Sequence, residues 1–386
     1  MTRFSRITRI AYACACTLLA ACSGVIGNPG GNPPTSDAAS SDGSVSDHAT
    51  VDQITADRIA GDVRAGGDGN GNAIDSSTSN PARSTFYVSG RDIFDSCGNK
   101  FIARGVNHPT LYVDRAGAAV PEIAMTGANI VRIFWYAGNG VAITEAEPII
   151  GKLEQAGMVS MLEMHDSTCA WDLDAIKAYW TSAAAVALIQ RHQHAFWLNI
   201  ANETSPPSAA AYLSKYTELI QAIRTAGIKV PLVLDGGNCG RDSAVLFSTG
   251  AALLAADPEH NLIFSWHFYD ALSQAQITQV FQRSMTLDLP FIVGEYANKS
   301  PPGCGAALDY RFMISEAQRT GIGWLAWSWG DNSAASAWNT DCGEFDMTRT
   351  FAFSTLERWG LEVAVTDTNS IMKTAVRAKG LTGLCQ

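Results

Sequence analysis

The chain has 386 residues, 47% hydrophobic and 17% charged, which suits one large globular domain or two small ones. Its formal charge of −10 argues against nucleic acid as a partner and is compatible with a neutral polymer.

The first 21 residues read as a leader. Arg3, Arg6 and Arg9 precede a short apolar stretch over 10–19, and Leu19-Ala20-Ala21-Cys22 follows. The stretch is too short to span a bilayer stably, so it predicts a secretory signal. Leu-Ala-Ala-Cys resembles the bacterial lipobox, which makes Cys22 the expected lipidation site and a membrane the expected partner. Removing residues 1–21 deletes three arginines and no acid, taking the net charge from −10 to −13. The expected location is the cell envelope, anchored to a bacterial membrane, or release outside the cell. Ser23 after Cys22 does not suggest retention at the inner membrane, which favours the outer one.

Residues 22–84 predict a disordered stem. Residues 23–83 are rich in Gly, Ser, Asn, Asp, Ala and Thr and hold no Phe, Trp or Tyr. Such a segment cannot bury enough apolar surface to offset its ordering entropy.

The folded domain is expected over 85–386. Segments 86–94 and 100–106, with Gly98-Asn99 between them, predict a hairpin leading into a first strand. Strand-like apolar runs then fall at 102–106, 129–134, 159–164, 196–201, 232–234, 262–266, 291–294 and 323–326. Amphipathic stretches of helix length lie between them, such as 209–226 and 306–320. Eight alternations over roughly 300 residues predict an α/β fold, a (β/α)8 TIM barrel. A doubly wound sheet competes poorly, since no G-x-G-x-x-G follows the first strand. Cysteines 97, 169, 239, 304, 342 and 385 remain after the leader and Cys22, an even number that suits disulfides in an exported domain. The expected pairs are Cys97–Cys385, tying the domain's ends, and Cys169–Cys239 and Cys304–Cys342, pinning loops.

In such a barrel the chemistry sits where strands end. Those ends carry Asn107-His108, Arg132, His165-Asp166, Asn202-Glu203, Asp235, His267-Phe268-Tyr269, Glu295 and Trp327-Ser328-Trp329. Two strands ending in Glu203 and Glu295 suggest an acid/base and a nucleophile, roughly 5–5.5 Å apart in a retaining glycosidase. The two carboxyls must hold different protonation states near neutral pH. Arg132 is expected to keep Glu295 ionised, with a depressed pKa. Asn202 is placed to bond a sugar 2-hydroxyl, and Tyr269 to bond the nucleophile. His165 and His267 would line the floor, and Trp327 would offer a flat face to a sugar ring. No step of this chemistry requires a metal or an organic cofactor. Other barrel chemistries fit less well: there is no His-x-His at the first strand, no lysine in the eight runs and no G-x-S-x-G.

With these motifs the chain resembles glycoside hydrolase family 5, and within it the bacterial endo-β-1,4-mannanases. The resemblance covers residues 85–378. It is carried by Ala103-Arg-Gly-Val-Asn-His108, Thr126-Gly-Ala-Asn-Ile-Val-Arg132, Leu162-Glu-Met-His-Asp166, Asn199-Ile-Ala-Asn-Glu203, Phe264-Ser-Trp-His-Phe-Tyr269, Ile292-Val-Gly-Glu295 and Gly323-Trp-Leu-Ala-Trp-Ser-Trp329. The resemblance implies that Glu203 is the acid/base and Glu295 the nucleophile. It places Asn107, His108, Arg132, His165, Asn202, His267, Tyr269 and Trp327 on substrate-binding positions. The implied substrate is a β-1,4-linked polysaccharide, mannan or glucomannan, and the protein is expected to be monomeric. An endo-β-1,4-glucanase is the alternative in the same family, and a non-catalytic sugar-binding lipoprotein the alternative outside it. Phe134-Trp135-Tyr136 departs from the resemblance, being bulkier than the small polar loop expected there, and predicts a narrowed cleft or an added stacking platform.

Overall fold

The computed structural model describes residues 83–138, 140–301, 305–330, 344–382 and 385. The leader, Cys22 and nearly all of the stem lie outside the described residues, as do Cys304 and Cys342.

Strands β1 (Tyr87–Ser89) and β2 (Asp92–Phe94) form an antiparallel hairpin. Eight parallel strands then close a barrel: β3 (Arg104–His108), β4 (Ile130–Trp135), β5 (Val159–Met164), β6 (Phe196–Asn199), β7 (Leu232–Asp235), β8 (Leu262–Phe268), β9 (Phe291–Tyr296) and β10 (Gly323–Ala326). Each pairs with the next in sequence, and β10 returns to β3. Every residue of these eight strands is buried, as expected of parallel strands covered on both faces.

Local sequence sets the helices between the strands. Helix Ala209–Thr225 starts where Ser208 Oγ accepts the Ala211 N–H, and it buries Tyr212, Tyr216, Leu219, Ile220 and Ile223 along one stripe. Helix Tyr310–Thr320 starts four residues later than expected, because Asp309 caps it by accepting the Phe312 N–H. It stops at Gly321, whose φ of 72° suits a left-handed cap.

The expected hairpin is present with a different turn. It reverses at Gly90-Arg91, and Phe94 and Lys100 share only a single antiparallel bridge. The Asp95 side chain explains this. Its Oδ1 accepts the N–H groups of Cys97 and Asn99, folding residues 95–99 into a compact turn.

The hairpin closes the floor of the barrel. Phe86 and Phe101 pack edge-on against Trp197 at 5.9 and 5.6 Å and against each other at 5.1 Å. They join a cluster holding Ile130, Val159, Met161, Val233, Ile263, Ile292 and Leu325 from the strands. The Cys97–Cys385 disulfide then ties the hairpin region to the far end of the chain.

One irregularity bears on function. Trp266 stands opposite Val293, but His267 stands opposite Glu295, so Gly294 is an extra residue in β9. A Cβ there would lie 2.1 Å from Ser265 Oγ, which leaves room only for glycine.

Candidate active site

Seven consecutive barrel strands each send one hydrogen-bonded polar side chain inward: Asn107, Arg132, Glu163, Asn199, Asp235, His267 and Glu295. Arg132 is the hub. Its Nη1 donates to Glu295 Oε1 at 2.5 Å and to Asn107 Oδ1 at 3.2 Å. Its Nε and Nη2 donate to Asn199 Oδ1 at 3.0 and 2.8 Å, and Nη2 also donates to Asn202 Oδ1 at 2.6 Å. Asp235 and Glu163 complete its shell at 3.4 and 3.8 Å. A planar fork with five donors suits this position better than an ammonium would.

Glu295 is nearly inaccessible, its side chain 4% exposed. Tyr269 donates its hydroxyl to the second carboxyl oxygen at 2.9 Å. Asn107 donates to the Gly294 carbonyl at 3.0 Å and so supports the bulge that presents Glu295.

Glu203 follows β6 by four residues and is more open, its side chain 14% exposed. Its backbone is left-handed, at φ 50°, a conformation that costs a non-glycine residue about 1–3 kcal/mol unless its surroundings hold it. They do so from both sides. Asp235 Oδ2 accepts the Glu203 N–H at 3.2 Å, and the Cys169 N–H donates to the Glu203 carbonyl at 2.8 Å. The side chain meets His267 Nδ1 through Oε1 at 2.8 Å. One carboxyl oxygen of Glu203, one of Glu295 and a ring nitrogen of His267 all lie within 4.8 Å of one another.

The charges here are strongly coupled. Burial disfavours the His267 imidazolium, but Glu295 and Asp235 outweigh it and raise the pKa to about 10. Burial works against Asp235 as well, yet His267 and Arg132 hold it down at about 2. Burial pushes Glu295 up to about 7, against the pull of His267 and Arg132. The depressed value expected from Arg132 is thus overturned: the carboxyl nearest the guanidinium is also fully desolvated, with other carboxylates close by. Burial and the nearby Glu295 charge keep the Tyr269 hydroxyl protonated and able to donate.

The remaining expected residues divide. His165 stacks on Phe134 at 4.8 Å and bonds Glu163 through Nδ1 at 2.8 Å. Trp327 also stacks on Phe134, at 5.0 Å. Phe134 is therefore buried and stacked by both rings, while Trp135 is buried and donates to the Tyr179 hydroxyl at 2.8 Å. Asn202 uses its amide within the site, donating Nδ2 to Thr168 Oγ1 at 2.8 Å. His108 does not join the cluster. It follows the inward-facing Asn107 and so points to the other face of β3. There it is fully buried, 3.0 Å from Asp114 Oδ2 and 3.4 Å from the Trp329 carbonyl oxygen. Sequence reading missed Glu163 and Asn199 as site residues. The available signal was a polar residue well inside a largely apolar run, Glu163 in 159–164 and Asn199 in 196–201.

The Cys169–Cys239 disulfide lies over this end of the barrel, joining the loops that follow β5 and β7. Two carboxyls within reach of each other, one clamped by donors and one more open, can divide nucleophilic attack and proton transfer between them.

Comparison with known proteins places the chain in a family. The family described as cellulase (glycosyl hydrolase family 5) matches residues 94–333. A mannan endo-1,4-beta-mannosidase of Cellvibrio japonicus is 31% identical, over 77% of this chain and 69% of its own. One from Salipaludibacillus agaradhaerens is 32% identical, over 71% and 89%. Among solved structures, the mannohexaose complex of Thermomonospora fusca beta-mannanase superposes with a TM-score of 0.69 at 26% identity, over 77% of this chain and 99% of its own. The fold, the polar layer of the barrel and these matches together make the chain a glycoside hydrolase that belongs to glycosyl hydrolase family 5.

Proposed function

We propose that the chain is a retaining endo-β-1,4-mannanase acting on mannan or glucomannan. The observation that carries this reading is the pair of carboxyls drawn within 4.8 Å across His267, with Arg132 and Tyr269 both clamped on Glu295 alone. A spacing this short suits retention, because inversion needs room for a water between carboxyls about 6.5–9.5 Å apart. Glu295 attacks the anomeric carbon while Glu203 gives its proton to the departing glycosidic oxygen. A covalent glycosyl-enzyme forms. Glu203 then takes a proton from water, which displaces Glu295 and frees the sugar. Asn202, ordered by Arg132 and Thr168, is the residue closest in sequence to Glu203 that can meet the 2-hydroxyl. Trp327, backed by Phe134, offers the ring face.

The mannosidase relatives support the choice of mannan. An endo-β-1,4-glucanase is the second reading, favoured by the cellulase family description. Reducing-end release from galactomannan and from carboxymethyl-cellulose, with Glu295→Ala beside it, separates the two. Release from mannan alone, lost in the variant, is expected. Release from cellulose alone moves the substrate to glucan. A Glu295→Ala protein within about tenfold of wild type, the effect of only 1.4 kcal/mol on a barrier, would remove Glu295 as nucleophile.

We read residues 1–21 as an export signal and Cys22 as the site of the lipid anchor, with the domain working as a monomer at the cell envelope. Cys22→Ala is expected to move activity from the membrane fraction to the soluble one. Unchanged fractionation would count against the anchor.

A further inference from the structure

The Cys169–Cys239 disulfide joins a hold on the Glu203 main chain to the turn against His267, the partner of its side chain. On one side, Cys169 donates its N–H to the Glu203 carbonyl at 2.8 Å, and the next residue, Ala170, accepts the Ser205 N–H at 2.9 Å. On the other side, Cys239 donates its N–H to Ser205 Oγ at 3.3 Å. Gly240, which follows it, accepts the His267 N–H at 3.0 Å. Gly240 is also pressed against the imidazole: a Cβ there would lie 2.7 Å from His267 Nδ1. That nitrogen is the one 2.8 Å from Glu203 Oε1. The bond therefore couples the loop that fixes the Glu203 main chain to the turn that fixes its side-chain partner.

The backbone geometry marks the same place. Glu203, Cys169, Asn238 and Cys239 all have φ between 49° and 56°, in the left-handed region. Non-glycine residues enter that region only when their surroundings hold them there. Four such residues, from the loops after β5, β6 and β7, form a tightly determined knot, and the disulfide is its only covalent cross-link among the described residues.

We propose that the Cys169–Cys239 disulfide is a positioning element for the proton-transfer step, holding Glu203 and His267 in register, beyond any contribution it makes to stability. This inference rests on Glu203 being the acid/base. The other disulfide, Cys97–Cys385, lies at the floor of the barrel and serves as an internal comparison.

The test is a leaving-group comparison. The first, glycosylation step is read as kcat/KM on an unactivated mannopentaose, whose leaving sugar needs a proton, and on a 2,4-dinitrophenyl β-mannobioside, whose leaving group does not; kcat/KM leaves out the base-assisted second step that both substrates share. Cys169→Ala/Cys239→Ala is expected to lose about tenfold or more in kcat/KM on the first, through kcat with KM nearly unchanged, a fraction of what general acid–base catalysis contributes. It should keep most of its rate on the second. Cys97→Ala/Cys385→Ala should lower the melting temperature and leave the ratio of the two rates as in wild type. Glu203→Ala must show the same selective loss in stronger form. If it does not, the acid/base assignment fails and not the clasp. If Glu203→Ala is selective while the Cys169/Cys239 variant loses both rates equally, or neither, the positioning role is overturned. Should that variant fail to fold, the bond is opened with a water-soluble phosphine in the Cys97→Ala/Cys385→Ala protein. The phosphine takes up an oxygen as the disulfide becomes two thiols, and alkylation of Cys169 and Cys239 confirms the opening. The same ratio then decides.

Discussion

His267 stands opposite Glu295 in the β8–β9 ladder only because Gly294 is an extra residue in β9. Without that bulge the side chains of β9 beyond Val293 would change faces, and Glu295 would leave the barrel interior. Gly294→Ala puts a methyl about where Ser265 Oγ already stands. The expected result is a loss of about 1–3 kcal/mol of stability by overpacking, together with a fall in kcat. A melting temperature and kcat equal to those of wild type would show that the bulge is not fixed by glycine.

Tyr269 bonds Glu295 directly, and Tyr269→Phe removes that donor while keeping the ring. A hydrogen bond to a charged group contributes about 1.5–3 kcal/mol, so kcat/KM should fall about tenfold to a hundredfold. The pH profile gives a second readout. With Glu295 as the proposed nucleophile, which must be ionised to attack, kcat/KM is expected to decline as pH falls below about 7. Losing a donor to the carboxylate raises its pKa further, moving the acid limb to higher pH. An unmoved limb would show that another group sets it.

Arg132 is buried among the carboxyl groups of Glu163, Asp235 and Glu295 and three amides. Arg132→Met leaves that charge uncompensated, and breaking a buried ion pair from one side costs about 3–5 kcal/mol. Arg132→Lys keeps the charge and loses the fork to Asn199 and Asn202. It is expected to recover part of the stability and little of the activity. Urea midpoints beside kcat values check this, and full recovery of activity by lysine would refute the need for the fork.

The same network predicts how stability follows pH. His267 is raised in the folded state, so its contribution is complete below about 6.5 and is lost as pH climbs through about 10. Glu295 is raised as well, and its contribution is present below about 4.5 and gone above about 7. Asp235 is lowered, so its contribution exists above about 3.8 and disappears as pH drops toward about 2. Unfolding midpoints measured from pH 6 to pH 10 should fall steadily in wild type. In His267→Asn the part of the decline above pH 7 should flatten, and a parallel decline in the two proteins would contradict the pairing.

The barrel was legible because its strands are apolar runs separated by amphipathic stretches. Strands β5 and β10 have the bounds the sequence predicts, Val159–Met164 and Gly323–Ala326. Other strands run further than predicted: β3 reaches His108, β8 reaches Phe268 and β9 reaches Tyr296. In each case polar residues looked like the end of a strand, whereas inside a barrel they pair with one another and the ladder continues. Glu203, Glu295, Arg132 and Tyr269 were legible as strand-end residues. Glu163 and Asn199 were not, since a polar residue inside a largely apolar run gains meaning only from Arg132, 67 residues from Asn199 in the sequence. The turn at Gly90-Arg91 was hidden for a similar reason. Nothing nearby advertises that Asp95 will fold residues 95–99 on its own side chain.

The ring closes between β10 and β3, where Asn107 donates to the carbonyl of Leu325, 218 residues away. Every strand from β3 to β9 gives one member of the polar layer, and Trp327 follows β10. No half of the sequence therefore contains a reduced version of the site. Until the last strand is seated, Asn107 lacks its carbonyl partners, the Glu295 bulge lacks its support and the arginine hub lacks a neighbour. Contacts this distant in sequence close late, since their loop entropy must be overcome before they form. Catalysis in this chain is consequently an all-or-none property of a finished circle, and the appearance of turnover during refolding would time the closing of the ring.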